Sequence, residues 1–122
     1  MRPIKKNKNT PLLAIPLLLS STVLFAPQAF AAPTANPDNY TTTMGNSITI
    51  SPLSNDRADI GTTFFIEKVD SPAPYGTGSS ELIDDEDDDK IVYTPPANFT
   101  GTTTFWYGIK DSEGLITSAP IT

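Results

Sequence analysis

Neither cysteine nor histidine occurs anywhere in the 122 residues. Without cysteine no disulfide can staple a small exported domain, and without either residue the ordinary zinc and redox centres are excluded. A serine nucleophile would lack its usual base, and no Gly-x-Ser-x-Gly turn is present. The chain therefore reads as non-enzymatic. Positive charge is scarce as well: beyond residue 31 only Arg57, Lys68, Lys90 and Lys110 stand against 14 acids, a net charge near −10. Nucleic acids, whose binding depends on neutralising phosphates with Lys and Arg, are excluded as partners on that ground. Divalent cations or basic surfaces suit such a chain better. Long hydrophobic runs are also missing. Leu12 to Phe25 is broken by Pro16 and falls short of the roughly 20 apolar residues that span a bilayer, so no membrane span is expected after the leader.

What is present begins with that leader. Arg2, Lys5, Lys6 and Lys8 precede the apolar run, and Ala29-Phe30-Ala31 supplies the small-x-small pattern of a cleavage site. Residues 1–31 read as a cleavable signal peptide, which places the mature chain outside the cytoplasm: secreted, periplasmic or on the cell surface. Residues 32–37 form an Ala/Pro-rich lead, either a linker or the entry to a first edge strand. Residues 38–122 make one small domain. With no disulfide, its stability must come from its core, from neighbouring modules or from a hard metal ion.

The domain carries strand signals and no convincing helix. Thr-rich Asn39 to Thr43 is β-prone, and Ile48 and Ile50 alternate with polar residues. Phe64 and Ile66 face inward and Phe65 and Glu67 outward, so Val69 regains the inner face only through a bulge. Further strands are expected near Ser80 to Ile83, Lys90 to Thr94 and Phe105 to Ile109. The last, Leu115 to Thr122, contains Pro120 and looks short or truncated. Six consecutive acids, Asp84 to Asp89, read as a solvated loop, because like charges repel one another in a sheet. Seven short segments separated by Pro, Gly, Asn and Asp predict a seven-stranded antiparallel β-sandwich.

The order Asp38-x-Tyr40, Ile48-x-Ile50, Leu53-Ser54-Asn55-Asp56, Tyr93-Thr94-Pro95, Phe99-Thr100-Gly101, Phe105-x-Tyr107 and Asp111-x-x-Gly114 resembles the bacterial cadherin-like, immunoglobulin-like tandem-repeat domain of secreted and surface proteins. The resemblance implies an Ig-like sandwich with a structural or adhesive role at the cell surface, often stabilised by calcium. It implies neighbouring modules, a cell-surface protein or a polysaccharide as partners.

Two sets of residues are candidates for function. Asp38, Asn55, Asp56, Asp59, Asp111 and Glu113 supply oxygen ligands from a strand start and two loops, as calcium requires. The family pattern places a further Asp where this chain has Ala58, with Asp59 displaced by one position. The same residues also suit Asx-type and β-turns with no ion. The second set is an apolar patch of Trp106, Phe65 and Val92, each expected to point away from the core. It predicts either a carbohydrate-binding or other ligand-binding accessory module, or a surface covered by loops or a neighbour. Tyr107, on the inner face, needs a partner for its hydroxyl.

Overall fold

The computed structural model describes residues 22–122. Most of the signal-peptide reading falls on residues 1–21, outside the described residues. Among the described residues no helix is long and apolar enough to cross a membrane. The strands are β1 (Ile48–Ile50), β2 (Phe64–Val69), β3 (Ser79–Ile83), β4 (Lys90–Thr94), β5 (Phe105–Asp111) and β6 (Ile116–Ile121), with one 3-10 turn at Pro52–Asn55. They form two antiparallel sheets, β1-β4-β3 and β2-β5-β6.

Alternation along the strands places the core between these sheets. Ile50, Ile91 and Tyr93 face it from one side, and Ile66, Phe105, Tyr107, Ile109 and Ile121 from the other. Each large apolar side chain removed from water contributes about 1.5 to 3 kcal/mol, so this cluster is the main source of stability. The expected bulge is present: Ile66 pairs with Ile109 and Lys68 with Gly108, which leaves Glu67 as the extra residue. It resets the alternation, and Val69 packs against the core opposite Tyr107.

Among the described residues six strands form where seven were expected. The expected first strand is reduced to a short parallel contact between Asp38 and Ile121. The Asp38 N–H donates to Pro120 O (3.0 Å), the Thr122 N–H to Asp38 O (2.9 Å) and the Tyr40 N–H to Thr122 O (2.9 Å). Pro120 has no N–H to donate to Asn36 O and extend this ladder backward, and a turn closed by Asn46 N–H on Thr43 O (3.0 Å) ends it forward. The lead before it is docked, since Thr34 and Arg57 exchange two backbone hydrogen bonds of 2.8 and 3.0 Å. The last strand is better formed than its composition suggests. β6 pairs with β5 over its full length, and the missing N–H of Pro120 falls on the side away from β5, facing the entering segment, so the β5–β6 ladder is unbroken.

The acidic run also departs from its reading at one residue. Asp84 to Asp88 are exposed, but Asp89 is only 4% exposed. Its Oδ2 accepts the Ile66 N–H (2.8 Å) and its Oδ1 the Asp85 N–H (3.0 Å). A carboxylate thus occupies a backbone donor of the edge strand β2 and closes the β3–β4 loop, which makes burial of its charge tolerable.

Candidate functional site

The polar residues with the most unusual surroundings lie where the N-terminal lead meets the 3-10 turn and β5. Tyr107 projects inward from the middle of β5 and is 0% exposed. Its hydroxyl lies 2.9 and 3.1 Å from the two carboxylate oxygens of Asp56 and 3.0 Å from Asn36 O. The hydroxyl has one proton, and donation to the carboxylate is the stronger, charge-assisted choice. Asp56, just past the 3-10 turn, also accepts the Asn36 N–H at 2.7 Å. Asn36 returns a second bond through its side chain, from Nδ2 to Asn55 O at 2.6 Å. Asn55 in turn donates from Nδ2 to Asp38 Oδ1 at 3.0 Å. Asp38 Oδ2 is buried and has no hydrogen-bond partner among the described residues.

Two carboxylates are therefore held close together out of water, with Asp38 7% and Asp56 9% exposed. Burial, with the nearby Asp56 charge as the second cause, pushes the Asp38 carboxyl up to about 6. Burial raises Asp56 too, against the opposing effect of the Asn36 N–H and the Tyr107 hydroxyl. The Tyr107 hydroxyl is pushed well above the usual phenol range, first by burial and then by its bond to Asp56. Tyr40 is raised by burial and by the Asp38 charge.

Of the six candidate calcium ligands, the fold brings together Asp38, Asn55 and Asp56. Asp59 is spent elsewhere: it accepts the backbone N–H groups of Ala31 (2.9 Å) and Ile60 (2.8 Å), which lower its carboxyl below the ordinary range. Asp111 sits at the β5–β6 turn, where Oδ1 accepts the N–H groups of Glu113 (3.0 Å) and Leu115 (2.8 Å) in an Asx-type turn. Its Oδ2 is buried with no hydrogen-bond partner among the described residues, and Glu113 is exposed. Among the described residues no three acidic side chains form a group that could hold a metal ion. Calcium asks for six to eight oxygens, whereas Asp56 is occupied by a hydroxyl and a backbone N–H and Asp38 Oδ1 by an amide donor. As arranged, these residues do not fit a calcium shell.

The patch residues separate. Trp106 on β5 and Phe65 on β2 share the outer face of one sheet, each 48% exposed. Lys68 lies between them, its side chain over Gly108, where a Cβ would stand 3.2 Å from the Lys68 stem. Val92 belongs to β4, on the outer face of the opposite sheet, so the three residues do not make one surface. Two further residues matter that the sequence did not mark. Asn36 joins the lead to Asp56 and Tyr107, and only its place beside Pro37 hinted at an extended entry. Asp89 was hidden inside a charge run.

A sandwich of two antiparallel sheets whose buried tyrosine on β5 ties back to an upstream segment is Ig-like in architecture. The family model described as "Bacterial Ig domain" matches residues 31–122. The chain belongs to the bacterial Ig domain family. No curated protein and no solved structure matches it. Within this bacterial Ig domain the Asp38–Asp56–Tyr107 cluster does one thing visibly: it fixes the entering segment against the sandwich. That is a structural task, as expected of a family of generally non-catalytic modules.

Proposed function

We propose that this bacterial Ig domain is an exported, non-enzymatic spacer module of the cell surface that carries tension along its long axis. The observation behind this reading is the parallel contact between Asp38 and Ile121. Parallel neighbours start at the same pole, so the chain enters the sandwich at one pole and Thr122 stands at the other. Modules built this way join end to end. Pulling the two ends apart draws the entering segment and β6 in opposite directions along one line. The three hydrogen bonds between them are then strained together in shear, instead of opening one by one. The Asn36–Asp56–Tyr107 bonds reinforce the same segment.

In this reading the cluster takes the place that the family resemblance gives to calcium: protein donors fix the entry segment. The acidic surface suits the outside of a cell, where net charge keeps a protein soluble. Force spectroscopy on the full chain, held through residues 34 and 122, tests the proposal. It expects one all-or-none rupture, at a force lowered by Asp38→Pro, which removes the donor to Pro120 O. Gradual extension with no peak would refute the mechanical reading.

A further inference from the structure

The pole where Thr122 stands contains a cavity of about 430 Å³ between the two sheets. That lies within the roughly 300 to 1,000 Å³ of ordinary small-molecule sites. We propose that this cavity binds a neutral, polyhydroxylated ligand of the saccharide class. The proposal does not depend on the spacer role.

The floor is apolar and rigid. Ile50, Tyr93, Phe105 and Ile121 all line it, and all are buried core residues. The rings of Tyr93 and Phe105 stack with centroids 5.9 Å apart and planes at 22°. Tyr93 is anchored by its hydroxyl, which donates to Thr77 O. Tyr40 and Phe99 add two aromatic walls from opposite loops.

The rim is hydroxylic. Thr41 to Thr43 supply it from the entering segment, and Thr100, Thr102 and Thr103 from the β4–β5 corner. Part of it is fixed in place: Thr42 Oγ1 donates to Asn46 O at 2.8 Å, and Thr103 Oγ1 bonds Thr77 Oγ1 at 2.5 Å. Thr41, Thr100 and Thr102 are exposed at the mouth.

Charge decides the class. None of the 18 described lining side chains is charged, in a chain with 14 acids beyond residue 31. A charged ligand would find no counter-ion and would lose its hydration. A wholly apolar ligand would strip water from the threonine hydroxyls and leave them unpaired. A sugar presents C–H faces to the rings and hydroxyls to the rim, and so satisfies both surfaces.

The test is an amide-resolved NMR titration of the full chain with millimolar cellohexaose, xylohexaose, maltohexaose and chitohexaose. At least one should shift the amides of Thr41 to Thr43 and Thr100 to Thr103. Tyr40→Ala should weaken that binding by about tenfold, the loss of one ring contact. Thr102→Glu, an exposed change that brings charge to the mouth, should weaken it with the thermal midpoint unchanged, and Trp106→Ala should leave it intact. A panel that moves none of these amides overturns the proposal. So does binding that disappears in Trp106→Ala, or that persists at full strength in both Tyr40→Ala and Thr102→Glu.

Discussion

Replacing Tyr107 by phenylalanine removes one hydroxyl from the centre of the cluster and leaves the buried ring in place. The ring keeps its packing, so the change isolates the polar bond. Asp56 would keep the Asn36 N–H at 2.7 Å but lose the hydroxyl at 2.9 Å, and at 9% exposure water cannot readily replace it. A hydrogen bond to a charged group contributes about 1.5 to 3 kcal/mol, so the expected loss is about 2 kcal/mol. For a domain of this size each kcal/mol shifts the midpoint by roughly 4 to 8 °C, which gives a fall of about 8 to 16 °C. Urea unfolding followed by far-UV circular dichroism measures the free energy directly. Asp56→Asn is the control: its amide oxygen still accepts while the charge facing Asp38 is gone, so it should cost less. Combined with Asp56→Ala, Tyr107→Phe should cost less than it does alone, because the charged partner is already absent and only Asn36 O at 3.0 Å is left to accept the hydroxyl. A Tyr107→Phe protein within about 0.5 kcal/mol of wild type, the range of ordinary surface changes, would refute the reasoning.

Three further outcomes are expected. Asp89→Ala uncaps the Ile66 N–H and should cost about 1 to 3 kcal/mol, with hydrogen exchange faster at Ile66 and Asp85 than elsewhere. Asp38 binds its proton more tightly folded than unfolded, so stability should fall as pH rises from about 4 to 6, by roughly 1 to 3 kcal/mol, and Asp38→Asn should flatten that part of a pH-resolved urea profile. Gly78→Ala forces a side chain onto a φ of +129°, with Cβ 2.5 Å from Thr94 O and 2.7 Å from the Tyr93 ring. Strain alone costs about 1 to 3 kcal/mol, and the backbone clash adds to it, so a large drop in the calorimetric midpoint is expected.

The sandwich was legible wherever alternation and turn chemistry agree. Tyr93 and Phe105 fall inward, Trp106 outward, and the slip in alternation between Ile66 and Val69 required the bulge that the register shows. The failures share a cause, since each depends on contacts distant in sequence. Pairing of the N-terminal segment is set by Pro120 and Thr122, so its β-prone threonines do not make a full strand. Asp89 looks like its five neighbours until a donor 23 residues away meets it. Val92 and Trp106 both point outward, but only topology tells that they point out of opposite sheets. The acids suited to calcium were recognised as oxygen donors, and their backbone partners decided where each carboxylate went. Asn36 acts mainly through its main chain, which residue type does not reveal.

The central claim is that protein donors, Tyr107 and the Asn36 backbone among them, hold the entering segment in place. Thermal unfolding of the same sample in excess chelator and in millimolar CaCl₂ tests it most directly. A ligand that binds only the folded state at 100 times its Kd would add about 2.7 kcal/mol, a rise of roughly 10 to 20 °C. The account predicts coincident midpoints in the two buffers, with Tyr107→Phe lowering both equally. A calcium-dependent rise that disappears in Asp38→Asn or Asp56→Asn would contradict it.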